Sequence, residues 1–202
     1  MTDLVDRAAL EAVIPPDALI TVPESGLEGV AHRPTRDVLR DLGVPVNFWL
    51  RPASDFSKGV LTADRERLRE EFADFGIDVD VDGWALLGTI SHDLVYLDTR
   101  SGVVHSIPDG GVPRRLNSSL HAFVHFLYLL EVERPNYDFE YPARPSGDAP
   151  EREFRPGAED RLRERMTAVD PVGFEPPEED FGYEPGEPTW ELVLRFVAEK
   201  LQ

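Results

Sequence analysis

The sequence predicts an α+β fold, a central antiparallel β-sheet meander with helices packed on it and a C-terminal helical extension. Three observations carry this. Between Val79 and Leu116, the short apolar runs WALLGTI, DLVYLD, GVVHSI and VPRRL alternate with turn residues at hairpin spacing. On both sides of that block, apolar residues recur at three and four positions, the repeat of a helix face. The 202 residues are 41% hydrophobic and include 3 Trp, 11 Phe and 5 Tyr, enough for one sizeable core, so residues 1–202 are expected to form one domain.

Taken in order, Leu4, Val5, Ala8, Ala9, Ala12 and Val13 form a helical stripe that Pro15 and Pro16 end, and ALITV reads as a short strand. Thr35 is a candidate cap for a helix carrying Val38, Leu39 and Leu42, which Gly43 and Pro45 stop. VNFWLR then reads as a strand. Residues 62–75 suit a charged helix capped by Thr62, with Leu68, Phe72 and Phe75 inward. Within the meander, DTRSG with Gly102 and then PDGG supply turns.

Asn117 or Ser118 is predicted to cap the next helix, whose inward residues are Leu120, Phe123, Val124, Leu127 and Leu130. His121, His125 and Tyr128 form its narrower polar stripe. Residues 134–157 are rich in Pro and charge and read as an irregular connection. Residues 158–202 contain the helices AEDRLRERMTAV and PTWELVLRFVAEKL, with Trp190, Leu194, Val197 and Leu201 on one side of the second, and are expected to pack on the core.

The net charge of −18 repels phosphate backbones and anionic lipid, so direct nucleic-acid and membrane partners are not expected and a basic protein partner fits better. With no cysteine there are no disulfides, thiolate ligands or cysteine nucleophiles, and no segment approaches the ~18 apolar residues of a membrane span. The acidic, amphipathic start lacks the pattern of a secretory signal, which predicts a cytoplasmic protein.

Two motifs point toward metals and fall short. In HAFVH, His121 and His125 have the spacing of two ligands on a helix, but Ala122 stands where a hydrolytic zinc helix carries glutamate, so a solvent-facing pair is the better reading. In DVDVDG, Asp78, Asp80, Asp82 and Gly83 match half of a calcium loop, but Thr89 occupies the closing position. A strand edge with outward Asp explains the same letters. No phosphate loop, dinucleotide fingerprint or nucleophile elbow is present, and no cofactor is implied.

The stretch FEPPEEDFGYEP places Glu175, Glu178, Glu179, Asp180 and Glu184 around Phe174, Phe181 and Tyr183 without a basic residue nearby. Aromatic anchors with acidic rims suit a basic protein surface. Together with Asp78, Asp80 and Asp82 these are the candidate partner-binding residues. The competing reading folds the aromatics back onto the core.

The succession HRPTRDVLRDLGVP, LLGTISHDLVYLDTRSGVVHSI, RLNSSLHAFVHFLYLL and DPVGF ahead of the Trp190 helix resembles the fourth immunity-protein group of the SUKH superfamily, over residues 32–201. Gly43, Pro45, Gly88, Asp98, Gly102, Asn117, Ser118, Phe123, Asp170, Pro171 and Trp190 carry the likeness. The resemblance implies a sheet with helices packed against it. It also implies a non-enzymatic immunity protein that binds and blocks a cognate bacterial polymorphic toxin, often a nuclease or a nucleic-acid deaminase. A regulatory protein-binding scaffold is the alternative it offers.

Overall fold

A computed structural model of the chain describes residues 4–63, 65–74, 76, 78–108, 111–138, 157–175 and 187–199. In chain order, α1 (Arg7–Glu11), β1 (Leu19–Ile20), α2 (Arg33–Asp37) and β2 (Val44–Pro45) come first. β3 (Leu50–Pro52), α3 (Arg65–Asp74), β4 (Trp84–Ile90), β5 (Asp93–Asp98), β6 (Val104–Ile107) and β7 (Arg114–Asn117) follow, then α4 (Leu120–Tyr137), α5 (Ala158–Val169) and α6 (Thr189–Glu199). The predicted meander forms as a five-stranded antiparallel sheet in the order β3-β4-β5-β6-β7, and β1 pairs separately with β2.

Successive strand residues face opposite sides, and the two sides carry different cores. Val95, Leu97, Val104 and Leu116 share a large core with α4, α5, α6 and the N-terminal elements, while Trp84, Tyr96 and Ile107 meet Leu68 and Phe72 of α3 on the other side. In β4, Leu87 and Ile90 both enter the large core although three positions apart, which strict alternation forbids. A bulge resolves this. The register with β5 shifts between Leu86 and Gly88, and the Leu87 carbonyl accepts from Ala53 N at 2.9 Å.

Gly88 makes the bulge possible. Its φ is 155°, and a Cβ there would lie 2.1 Å from the Arg51 carbonyl oxygen of β3. Gly88→Ala is therefore expected to cost about 2 kcal/mol of stability and to part β3 from β4, seen as early loss of hydrogen-exchange protection in those two strands.

Local side-chain chemistry moves several boundaries. Asn47 Oδ1 accepts from Trp49 N and Leu50 N, both at 3.0 Å, an Asx turn that keeps VNFWLR from being a strand until Leu50. α2 starts at Arg33 with Pro34 in its first turn, so Thr35 is not the cap but a buried helical residue, its hydroxyl 2.9 Å from His32 Nδ1. The backbone then widens into a π turn over Val38–Leu42, closed by Gly43 N donating to Val38 O at 2.8 Å, with Gly43 at φ 79°.

Ser119, not Asn117 or Ser118, caps α4, its hydroxyl accepting from Ala122 N at 3.2 Å. Twelve of the eighteen residues of α4 are buried, which makes it the central helix. It also runs on through Arg134 to Tyr137, where composition predicts the start of an irregular connection. Pro135 removes a single amide near the helix end, and the last turn is fastened by the Tyr137 hydroxyl donating to Leu130 O at 3.0 Å and by Arg134 pairing with Asp138 at 2.9 Å. Residues 139–156 of that connection lie outside the described residues.

Candidate functional site

His121 and His125 share one side of α4, but that side is occupied by the N-terminal segment of the chain. Val5 N donates to His125 Nδ1 at 2.9 Å, and His121 Nε2 lies 2.7 Å from the Val5 carbonyl oxygen. A carbonyl only accepts, so His121 is the donor there, and His125 must be neutral at Nδ1 to accept. Burial pushes the His125 pKa down to about 4, with the charges of Arg165 and His121 acting the same way. The solvent-facing pair expected from the sequence is corrected: helical spacing that suits two metal ligands also suits the amide and carbonyl of one extended residue. Among the described residues, no group of three or more His, Asp or Glu side chains is placed to hold a metal ion.

Of the three candidate aspartates before β4, two are already engaged. Asp80 accepts from Arg100 Nη1 at 2.9 Å, and this guanidinium holds its carboxyl below the usual carboxylate range. Asp82 pairs with Arg69. Asp78 is exposed. The stretch is a turn and not the predicted strand edge, because Asp80 Oδ1 takes the Asp82 amide at 3.0 Å and Trp84 N reaches back to Val81 O at 3.0 Å.

Phe174 ends a 3-10 turn, Pro171–Phe174, and is partly buried against the core. Its ring centroid is 6.1 Å from that of Phe126, with the Arg163 guanidinium 5.9 Å from it. Glu178, Glu179, Asp180, Phe181, Tyr183 and Glu184 lie outside the described residues.

Four of the positions that carry the sequence likeness, Asn117, Phe123, Asp170 and Trp190, meet in the interior. Buried Asp170 accepts from Asn117 Nδ2 at 3.1 Å and from Ser118 N at 2.7 Å. Asn117 Oδ1 and Leu116 O both receive Trp190 Nε1–H, at 3.2 and 3.1 Å, and the indole packs on Phe123 and Phe126 at centroid distances of 6.1 and 5.2 Å. A second buried tie fixes the start of α6, where Thr189 Oγ1 lies 2.6 Å from Asp93 Oδ2 and 2.9 Å from Ser106 Oγ. Both networks bind the C-terminal helix to the sheet. Nothing in the local sequence pairs Asn117 with Asp170, or Asp93 with Thr189.

Two surface features were not singled out from the sequence. Phe48, 53% exposed, and Phe196, 37% exposed, meet at 5.9 Å between centroids. A signal for Phe196 was present, since it falls off the inward stripe of its helix. The second feature is a shallow depression lined by Ala31, Arg33, Arg36, Asp37 and Arg40. Its charge is offset locally, because Arg36 pairs with Glu24 at 2.6 Å and Arg40 with Asp37 and Asp41 at 2.8 and 2.7 Å.

Among the described residues, no helix is long and apolar enough to cross a membrane. No curated protein and no solved structure matches the chain. The SUKH-4 immunity protein family matches it over residues 5–184, a span that starts at the residue held by the two histidines and takes in the whole sheet, α4 and the Asp170 tie. A match over most of the 202 residues, on a helix-flanked antiparallel meander, shows that the chain belongs to the SUKH-4 immunity protein family.

Proposed function

We propose that the protein neutralises a cognate toxin by binding it one to one and covering its substrate site, with no chemistry of its own. The family match over residues 5–184 carries this reading. The wiring of His121 and His125 supports it, because the two side chains best suited to chemistry already hold the Val5 backbone.

The net charge of −18 favours a cationic partner, and a nuclease or nucleic-acid deaminase, whose groove attracts phosphate, is the toxin class that fits. In this reading the protein acts in the cytoplasm of the producing cell and touches neither nucleic acid nor membrane. Glu178, Glu179, Asp180 and Glu184 steer the encounter and Phe181 and Tyr183 supply contact area. Asp78 adds to the same field, whereas Asp80, Asp82 and Phe174 contribute less, each being engaged within the fold.

The test reads the genes adjacent to this one and uses the C-terminal module of a secreted toxin encoded there, carrying an inactivating substitution. Calorimetry is expected to give one-to-one binding, with an association rate that falls as salt rises. Changing Glu178, Glu179 and Asp180 together to Lys is expected to slow association about tenfold at low salt. An unchanged rate removes the acidic stretch from the account, while a wild-type chain that ignores the module removes the toxin reading itself.

A further inference from the structure

We propose that the sheet face around Trp84 is the seat of the partner, and that α3 is a cover which a segment of the partner replaces. The segment is a cationic helix with two apolar side chains four positions apart and Lys or Arg beside them. This rests on the toxin-binding reading and gives it a contact surface separate from the acidic stretch.

The seat is built by the strands and not by α3. Trp84 of β4 stacks on His105 of β6 at 4.2 Å between centroids and 19° between planes. Ile107 is buried in the same cluster, and Leu86, Leu94 and Val112 extend it while only partly buried. A tryptophan held in place by neighbouring strands loses little freedom on binding, which is what an interface hot spot requires.

α3 covers this face lightly. Among its described side chains only Leu68 and Phe72 are buried, the Phe72 ring standing edge-on to Trp84 at 6.2 Å, whereas Arg65, Glu66, Arg67, Arg69 and Glu70 are exposed. A helix of ten residues is marginal in water by itself, so its order depends on those contacts. The chain on either side is fastened to β4 independently of the helix. Before it, Thr62 O accepts from Leu86 N at 3.2 Å; after it, the carbonyl of buried Val81 accepts from Trp84 N at 3.0 Å. Between these points Gly76 sits at φ 68° with open space where a Cβ would be. α3 can therefore lift as a local opening that leaves the strands paired.

Charge selects the occupant. Beside the seat, Arg69 pairs with Asp82 and Arg100 with Asp80, both at the surface, and Asp78 is exposed. When α3 lifts, Asp82 loses its arginine, and the uncovered edge calls for the cation that α3 had supplied. Leu68, Arg69 and Phe72 thus display the pattern that a replacing helix needs, apolar anchors at i and i+4 with a cation between them. A net charge of −18 draws such a module in and repels a second copy of the chain.

The experiment has two arms, both using the inactivated C-terminal toxin module. In the first, hydrogen exchange of the wild-type chain is followed with and without the module. The α3 amides are expected to exchange about 100-fold faster than those of β4 and β5 in the free protein, and faster still in the complex, because the helix is displaced. Slower exchange of α3 in the complex overturns the proposal. In the second arm, Arg69→Cys with Asp82→Cys supplies two thiols in a chain that has no cysteine, and a short bis-maleimide joins them to tether α3. Compared with the same variant capped by N-ethylmaleimide at each thiol, the tethered protein is expected to bind about 100-fold more weakly. Equal affinity of the tethered and capped proteins overturns the cover and leaves toxin binding standing. A wild-type dimer in sedimentation that the tether dissociates assigns the face to a second copy and also overturns it. A wild-type chain that does not bind the module defeats the toxin reading and this seat with it.

Discussion

Trp190→Ala is expected to destabilise the protein by about 4 kcal/mol or more, a large part of the margin of an ordinary domain. The indole is fully buried, and its removal leaves a cavity between Phe123 and Phe126, the most buried part of α4. It also strips a donor from Leu116 O and from Asn117 Oδ1, and Asn117 is the residue that joins β7 to Asp170. Trp190→Phe separates the two effects, because it keeps a packed ring while losing the N–H, and should cost about 1–2 kcal/mol. Urea unfolding midpoints measure both. Equal costs for the two variants would place the whole effect in the hydrogen bonds and none in the packing.

The second large effect is loss of stability as pH falls from 6.5 toward 4. His105 and His125 are both held neutral in the fold, each with its pKa pushed down to about 4, and burial is the main cause in each. His105 stacks on Trp84 at 4.2 Å, and His125 accepts the Val5 amide. Above pH 6.5 both rings are neutral whether folded or unfolded, and their contribution is fully present. Below 6.5 the unfolded chain takes up protons that the folded chain refuses, so stability declines until the folded rings also titrate near 4. Each pKa unit is worth about 1.4 kcal/mol, and allowing for the partial exposure of His105 the pair should lose on the order of 4 kcal/mol over the window. Glu131, whose pKa is raised by burial, works in the opposite direction and blunts the lower end.

Urea titrations at several pH values read this slope, and His125→Asn should make it distinctly shallower. The Val5 amide should also be the first to lose exchange protection on acidification, since a protonated His125 no longer accepts from it. A variant slope equal to wild type would show that the decline comes from carboxylates and not from this ring.

Much of the fold is legible in the sequence because its signals are local. Alternation in DLVYLD and the turn residues around Gly102 announce the hairpins, and the spacing of Leu120, Phe123, Val124 and Leu127 announces α4. What is hidden depends on partners distant in the chain or on which amide a side chain captures. Asn47 diverts two amides from a strand, Gly88 admits a bulge because β3 lies close, and His121 and His125 look like ligands until Val5 is seen between them. The Asp170 tie joins residues more than fifty positions apart and has no signature in either segment. The candidate binding face was legible only as composition: acids near aromatics mark a kind of surface.

Asn117, Asp170 and Trp190 are enclosed, and the outer surface of the same scaffold is made by other residues. The skeleton and the surface are therefore written in separate sets of letters. A lineage confronted with a changed toxin can revise the outward set one residue at a time and keep a folded, expressed protein at every step.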